Sequence, residues 1–385
     1  MIFANRPVRL NEREERAVAS MQPETIELLK ALCAIPAPSH HEERRAAFIR
    51  EWFVQNGMDA VIDDAKNVLC PIGLDEHEEM VVIMAHTDTV FPDLEPMPMR
   101  EEGGRLYCPG VGDDTANVAA LMMLARYLKA EKPGCGVLFV ANSCEEGLGN
   151  LKGCKAIMHA FSGRVKAFIS LDCGLDGVCA RAVGSSRYRI TASTQGGHSF
   201  SDFGRRNAIE VLAKLITELY QQTVPQNGAS RTTFNVGMIE GGTSVNTIAQ
   251  KAAMLYEYRS DDADCLQVME QQMRGVLDSF RSDDAQISVE LLGTRPCARD
   301  VDADDQAALE AIAQDALHTY TGSRPGIFSG STDCNIPLSL GIPSVCFGVY
   351  RGEGEHTREE WIELASMETG MKAVLSMLRC WFREE

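Results

Sequence analysis

The sequence predicts a two-domain α/β protein in which a mixed, largely parallel sheet is interrupted by an inserted α+β domain of ferredoxin-like order. Three observations predict it. At 385 residues the chain exceeds the span of one hydrophobic core. From residue 79 onward short apolar runs alternate with amphipathic stretches, the rhythm of a parallel sheet clothed in helices. Between about 185 and 295 the texture changes to polar–apolar alternation around two amphipathic helices.

Taken in order, EMVVIMAH (79–86) reads as a strand, and TANVAALMMLARYLKA (115–130) as a helix with Val118, Leu121, Met122, Ala125 and Leu128 on one face. GVLFVANS (136–143) and KAFISLD (166–172) follow as strands, PSVCFGVY (343–350) as another, and ELASMETGMKAVLSMLRCWF closes with helical spacing. In the insert, SSRYRITAST, TTFNVGMIEGG, AAMLYEYRS and AQISVELLG alternate as strands, while NAIEVLAKLITELYQQ and CLQVMEQQMRGVLDSF carry helical periodicity. Their order is β-α-β-β-α-β, which covers one face of a four-stranded sheet and leaves the other free for a ligand or partner. The domains are thus read as 1–184 with 296–385, and 185–295.

Composition narrows the function. The 55 acidic against 37 basic residues give a formal charge of -18, a field that repels nucleic acid and anionic lipid. No apolar run reaches the 18 to 20 residues of a membrane span, and the N-terminus has no secretory h-region, so the chain reads as soluble and cytoplasmic. The 13 cysteines are odd in number, without a CxxC pair, and several sit in apolar runs, as reduced core thiols do. GxSxG, GxxxxGK[ST] and GxGxxG are missing.

In open α/β sheets ligands bind beyond the carboxyl ends of the strands. There the sequence places His86-Thr87-Asp88, then Glu145-Glu146-Gly147, then Asp172, and His356 in a glycine-rich loop, with Asp113-Asp114 just before a helix. Singly, each reads as well as a surface turn, a helix cap or a solvated loop. Together at one sheet edge they form a ligand inventory suited to Zn²⁺, Mn²⁺ or Co²⁺. Adjacent glutamates allow one to bind metal while the other serves as base. His40, His41, His77, His159 and His318 lack such partners and read as structural.

MAHTDTV, GVGDDTAN, NSCEEGLGN, SLDCG, QGGHSF, STDCN and EHTREEW resemble, in order and spacing, the M20 family of co-catalytic zinc peptidases and amidohydrolases over nearly the whole chain. The resemblance implies a zinc aminopeptidase-like catalytic domain with an inserted lid and dimerisation domain. It implies His86 and Asp172 on one ion, Glu146 and His356 on the other, and Asp113 bridging, with a cis peptide after Asp113. Zinc is the expected metal, with manganese or cobalt as alternatives. Three carboxylates against two divalent ions leave one positive charge, which a hydroxide can neutralise. Asp88 then holds the second nitrogen of His86, Glu145 is the general base and acid, and His198 reaches a partner's site in a homodimer to stabilise the oxyanion. Asn246 and Arg259 match substrate-contact positions, Arg259 as a fork for a free carboxylate. The expected reaction is amide hydrolysis in a small peptide bearing a free carboxylate. The alternatives are an N-acyl-amino-acid deacylase or desuccinylase of the same fold, a non-catalytic peptide-binding protein, and a two-metal phosphohydrolase, the last disfavoured by the acidic charge.

Overall fold

The computed structural model describes residues 9–382. The chain divides into two compact units, one running to Ala182 and resuming at Ala298, the other Val183–Cys297, against the 185 and 295 read from the sequence.

The first unit is built on an eight-stranded sheet in the order Val61–Ile62, Val68–Ile72, Gly136–Asn142, Met80–His86, Val165–Ser170, Ser344–Cys346, Gly177–Ala182 and Gly326–Gly330. Its centre is parallel: Met80–His86 pairs in parallel with Gly136–Asn142 on one side and Val165–Ser170 on the other. Antiparallel pairing enters where Val68–Ile72 meets Gly136–Asn142 and where Ser344–Cys346 touches Gly177–Ala182. Both central strands Met80–His86 and Gly136–Asn142 are buried at every residue, so alternation is absent and both faces are apolar.

Two readings change. The helix Asn117–Leu128 is buried from Asn117 to Ala125 without an exposed face, not amphipathic as its spacing suggests. It packs on the two central strands and is itself covered by the helices Glu12–Cys33, Glu43–Gln55 and Ser366–Leu378. Within PSVCFGVY only Ser344–Cys346 is strand; Phe347 and Gly348 then donate to Ser170 and Gly174 carbonyls and lead the chain off the sheet.

The second unit carries a four-stranded antiparallel sheet in the order Thr232–Gly241, Lys251–Ser260, Gly184–Ser193, Gln286–Arg295. The helices Ala208–Gln221 and Ala263–Ser279 cover one face, where Tyr188, Ile190, Met254 and Tyr256 meet Leu212, Leu215, Met269 and Met273. This is the ferredoxin-like order. A short antiparallel pair, Gly197–His198 with Thr247–Ile248, is added to it.

All 13 cysteines are free. No helix among the described residues is long and apolar enough to cross a membrane.

Candidate metal centre

Three parallel strands end at one edge and deliver the centre's side chains. His86 is the last residue of its strand, Glu145 and Glu146 follow Gly136–Asn142, and Asp172 follows Val165–Ser170. The turn Val111–Ala116 brings Asp113, and His356, at φ 63°, lies between the short strands Gly352–Glu353 and Trp361–Glu363.

These side chains converge. His86 Nε2 lies 3.0 Å from Asp113 Oδ1, and His356 Nε2 lies 2.8 Å from Asp113 Oδ2 and 3.2 Å from Glu146 Oε1. Two groups of potential donor atoms, His86–Asp113–Asp172 and Asp113–Glu146–His356, each fall within 4.8 Å, and Asp113 belongs to both. A third group joins His86 to Glu145 and Glu146. Glu146 Oε1 is buried and has no donor in line, although His356 is near. An orphaned buried oxygen in a set of imidazoles and carboxylates fits a divalent cation.

The backbone around this cluster is held by side chains. Four successive amides at the strand end are each capped: Ser143 donates to Asn67 Oδ1 (3.1 Å), Cys144 to Glu42 Oε1 (3.1 Å), Glu145 to Asp88 Oδ1 (2.9 Å) and Glu146 to Asp88 Oδ2 (3.0 Å). Asp88 also accepts from Ser39 Oγ at 2.6 Å. The role expected of Asp88 therefore shifts. Its carboxylate is 3.6 Å from His86 Nδ1, whereas its backbone carbonyl is 3.0 Å away, so the carbonyl is the nearer acceptor for the imidazole and the carboxylate orders the glutamate turn.

The Asp113 loop is braced by Glu360, which the sequence reading did not single out. This 1 % exposed carboxylate accepts from Gly110 (2.5 Å), Gly112 (2.8 Å) and Asp113 (2.9 Å). Gly110 sits at φ 76°, and a Cβ on Gly112 would meet the Tyr350 ring at 2.6 Å, so both positions need glycine. The Asp113–Asp114 peptide is cis, as the resemblance implies. Asp114 does not join the donor groups: its carboxylate accepts from His86 N (2.7 Å) and Asn117 Nδ2 (2.6 Å), and Asn117 continues to the Cys173 carbonyl and the Val349 amide.

The cluster holds more negative charge than its burial favours. Burial pushes Glu146 up to about 8 and Asp172 up to about 7, with Asp113 and Glu145 adding repulsion at both and the histidines opposing. Burial would raise Asp113 too, but His356 and His86 outweigh it and hold that carboxyl below the usual range. The carboxylates of Asp113, first, and of Glu146, both close to its Nε2, lift His356 to about 11 against the effect of burial. Protons or cations must balance this site.

The other expected residues lie in the second unit. His198 is exposed; its Nδ1 accepts from the amides of Phe200 (3.2 Å) and Ser201 (3.4 Å), which places the ring proton on Nε2. The Asn246 side chain accepts from Ser244 Oγ at 2.8 Å. The fork of Arg259 is not open as expected: Nε and Nη2 bind Glu257 at 3.0 Å each, so that edge is already taken.

A mixed sheet ending in two donor groups that share one aspartate defines a family of hydrolases, and the chain belongs to it: residues 82–379 match the model of Peptidase family M20/M25/M40. Among similar proteins, one from Mycobacterium tuberculosis provisionally named succinyl-diaminopimelate desuccinylase is 25% identical over 349 residues, 89% of this chain and 94% of that one. A tripeptidase from Staphylococcus aureus has the same fold, with TM-score 0.76 and 23% identity over 93% of this chain and 98% of its own. So does a dinuclear metal-binding M20 peptidase from Bacillus subtilis, with TM-score 0.64 and 17% identity over 94% and 98%.

Proposed function

We propose that the chain is a two-metal amidohydrolase that cleaves the amide bond of a small peptide bearing a free carboxylate. The observation that carries this reading is Asp113, whose two oxygens serve two separate donor groups while Glu145 stands beside them. His86 and Asp172 would hold one ion, Glu146 and His356 the other, with Asp113 between; zinc suits the donors, as do manganese and cobalt. Such ions, when bound, acidify a water and polarise the scissile carbonyl.

The remaining chemistry belongs to the chain. Glu145, on a turn whose amides are fixed by Asp88, takes the proton of the attacking water and returns it to the departing nitrogen. His198, supplied by a second copy of the chain through the lid and dimerisation domain, donates its Nε2 proton to the developing oxyanion. Asn246 contacts the substrate, and Arg259 receives its carboxylate through the guanidinium edge that Glu257 does not occupy. A second reading, removal of an acyl group such as succinyl from an amino acid, draws on the desuccinylase relative. Digestion of peptide and acyl-amino-acid libraries by zinc-, manganese- or cobalt-loaded protein tests both. Metal-dependent cleavage of short peptides supports the first reading, cleavage of acyl-amino acids alone supports the second, and a metallated protein that cleaves neither overturns both.

A further inference from the structure

Behind the proposed base lies a carboxyl group the mechanism does not use. Asp333, in the STDCN segment, is 1 % exposed, and Asn142, the last residue of the strand that leads to Glu145, is fully buried. Asn142 Nδ2 donates to Asp333 Oδ2 at 2.7 Å. The other oxygen of each, Asp333 Oδ1 and Asn142 Oδ1, is buried without a hydrogen-bond partner. Two orphaned acceptors on two groups already joined by one hydrogen bond lack a single thing, a donor. Buried polar atoms in folded proteins are nearly always satisfied, so a missing donor calls for a physical account.

We propose that Asp333 is a neutral carboxylic acid whose Oδ1 proton is donated to Asn142 Oδ1, closing a two-hydrogen-bond acid–amide pair that positions the strand end bearing Glu145. One proton then satisfies both orphaned atoms, and no further charge is placed behind the cluster. Burial pushes the Asp333 carboxyl well above its ordinary value, the negative charges of Glu145 and Asp172 act in the same direction, and His86 and the Asn142 amide oppose without prevailing. Aspartic acids kept neutral by an apolar site can serve as permanent hydrogen-bond donors.

The pair sits where it can position catalytic groups. Asn142 lies opposite His86 in the sheet, and its carbonyl accepts from both the amide (2.7 Å) and the hydroxyl (2.8 Å) of Thr87. The Asp333 carbonyl is held by Cys154 Sγ at 3.3 Å, which anchors the other partner. The link thus ties the end of the Glu145 strand, and through Thr87 the end of the His86 strand, to a segment distant in sequence. Asp333 is a positioning residue: its effect on turnover rests on the proposed role of Glu145, whereas its protonation does not.

The test is spectroscopic first. Metal-loaded wild-type protein at pH 8 should show the infrared carbonyl band of a neutral carboxylic acid, and Asp333→Asn should lack it. Carboxyl-carbon NMR of aspartate-labelled protein should show, at that pH, a protonated aspartic acid in wild type whose signal is absent from Asp333→Asn. Asp333→Asn keeps a donor facing Asn142 Oδ1, so its kcat profile against pH should overlay that of wild type, while Asp333→Ala should lose activity at every pH. No neutral acid signal in wild type, or an acid limb displaced in Asp333→Asn as expected on removing a negative charge, overturns the proposal. If the protein proves inactive on every amide tested, the spectra still decide the proton on Asp333.

Discussion

Replacing Glu360 by glutamine should weaken metal binding without touching a ligand. The wild-type carboxylate takes the Gly112 and Asp113 amides on Oε1 and the Gly110 amide on Oε2. A glutamine that keeps its oxygen on Gly112 and Asp113 points its NH₂ at the Gly110 amide, two donors facing each other at a site 1 % exposed. The opposite orientation abandons two amides, so the first is the cheaper. Leaving one buried donor unpaired costs about 1–3 kcal/mol. If that cost falls on the loop conformation that presents Asp113, it corresponds to roughly 5- to 150-fold in affinity, in the range of other residues that orient metal ligands. Titration of metal-free protein with zinc against a competing chelator at neutral pH measures it directly. Wild-type affinity in a folded Glu360→Gln protein would refute the claim that these three hydrogen bonds shape the Asp113 loop.

Glu145→Gln should retain its metal while kcat falls about 10²- to 10⁴-fold, the usual size of a general acid–base contribution, and a fully metallated variant with normal turnover would contradict the role of Glu145. Metal affinity should climb with pH through 8 and beyond, because Asp172, pushed up to about 7, Glu146, pushed up to about 8, and His356, lifted to about 11, must release protons before binding an ion. Correspondingly, the metal-free fold binds those protons more tightly than the unfolded chain does. Its melting temperature should fall between the ordinary carboxylate range and pH 8 and recover when metal is added; a flat melting profile would show that the carboxyls are not so perturbed. Mixing Glu145→Gln with His198→Ala protein should restore partial activity through hybrid dimers, and demonstrated subunit exchange without recovery would remove His198 from a neighbour's site.

The candidate site was legible because α/β topology puts chemistry after apolar runs, and His86, Glu145, Glu146 and Asp172 each follow one directly. The ferredoxin-like insert was legible from period-2 strands with one buried face. What escaped the sequence acts at long range: Glu360 on backbone amides some 250 residues away, Asn67 and Glu42 on the amides of the strand end, and Asp333 on the side chain of Asn142. Nothing local in REEW distinguishes Glu360, which is buried, from Glu359, which is exposed. Asp88 shows the complementary limit, since a residue two positions after His86 can serve that imidazole by its carbonyl while its carboxylate serves another turn. The helix Asn117–Leu128 misled for a third reason: helices from both ends of the chain cover the side its pattern left to solvent.

The central claim is that Asp113 joins two cation sites. Anomalous scattering from crystals of the zinc-loaded protein tests it most directly. Two zinc peaks are expected, one within reach of His86 and Asp172, the other within reach of Glu146 and His356, with one Asp113 oxygen on each. A single peak, or peaks that leave Asp113 uncoordinated, would contradict the two-metal account.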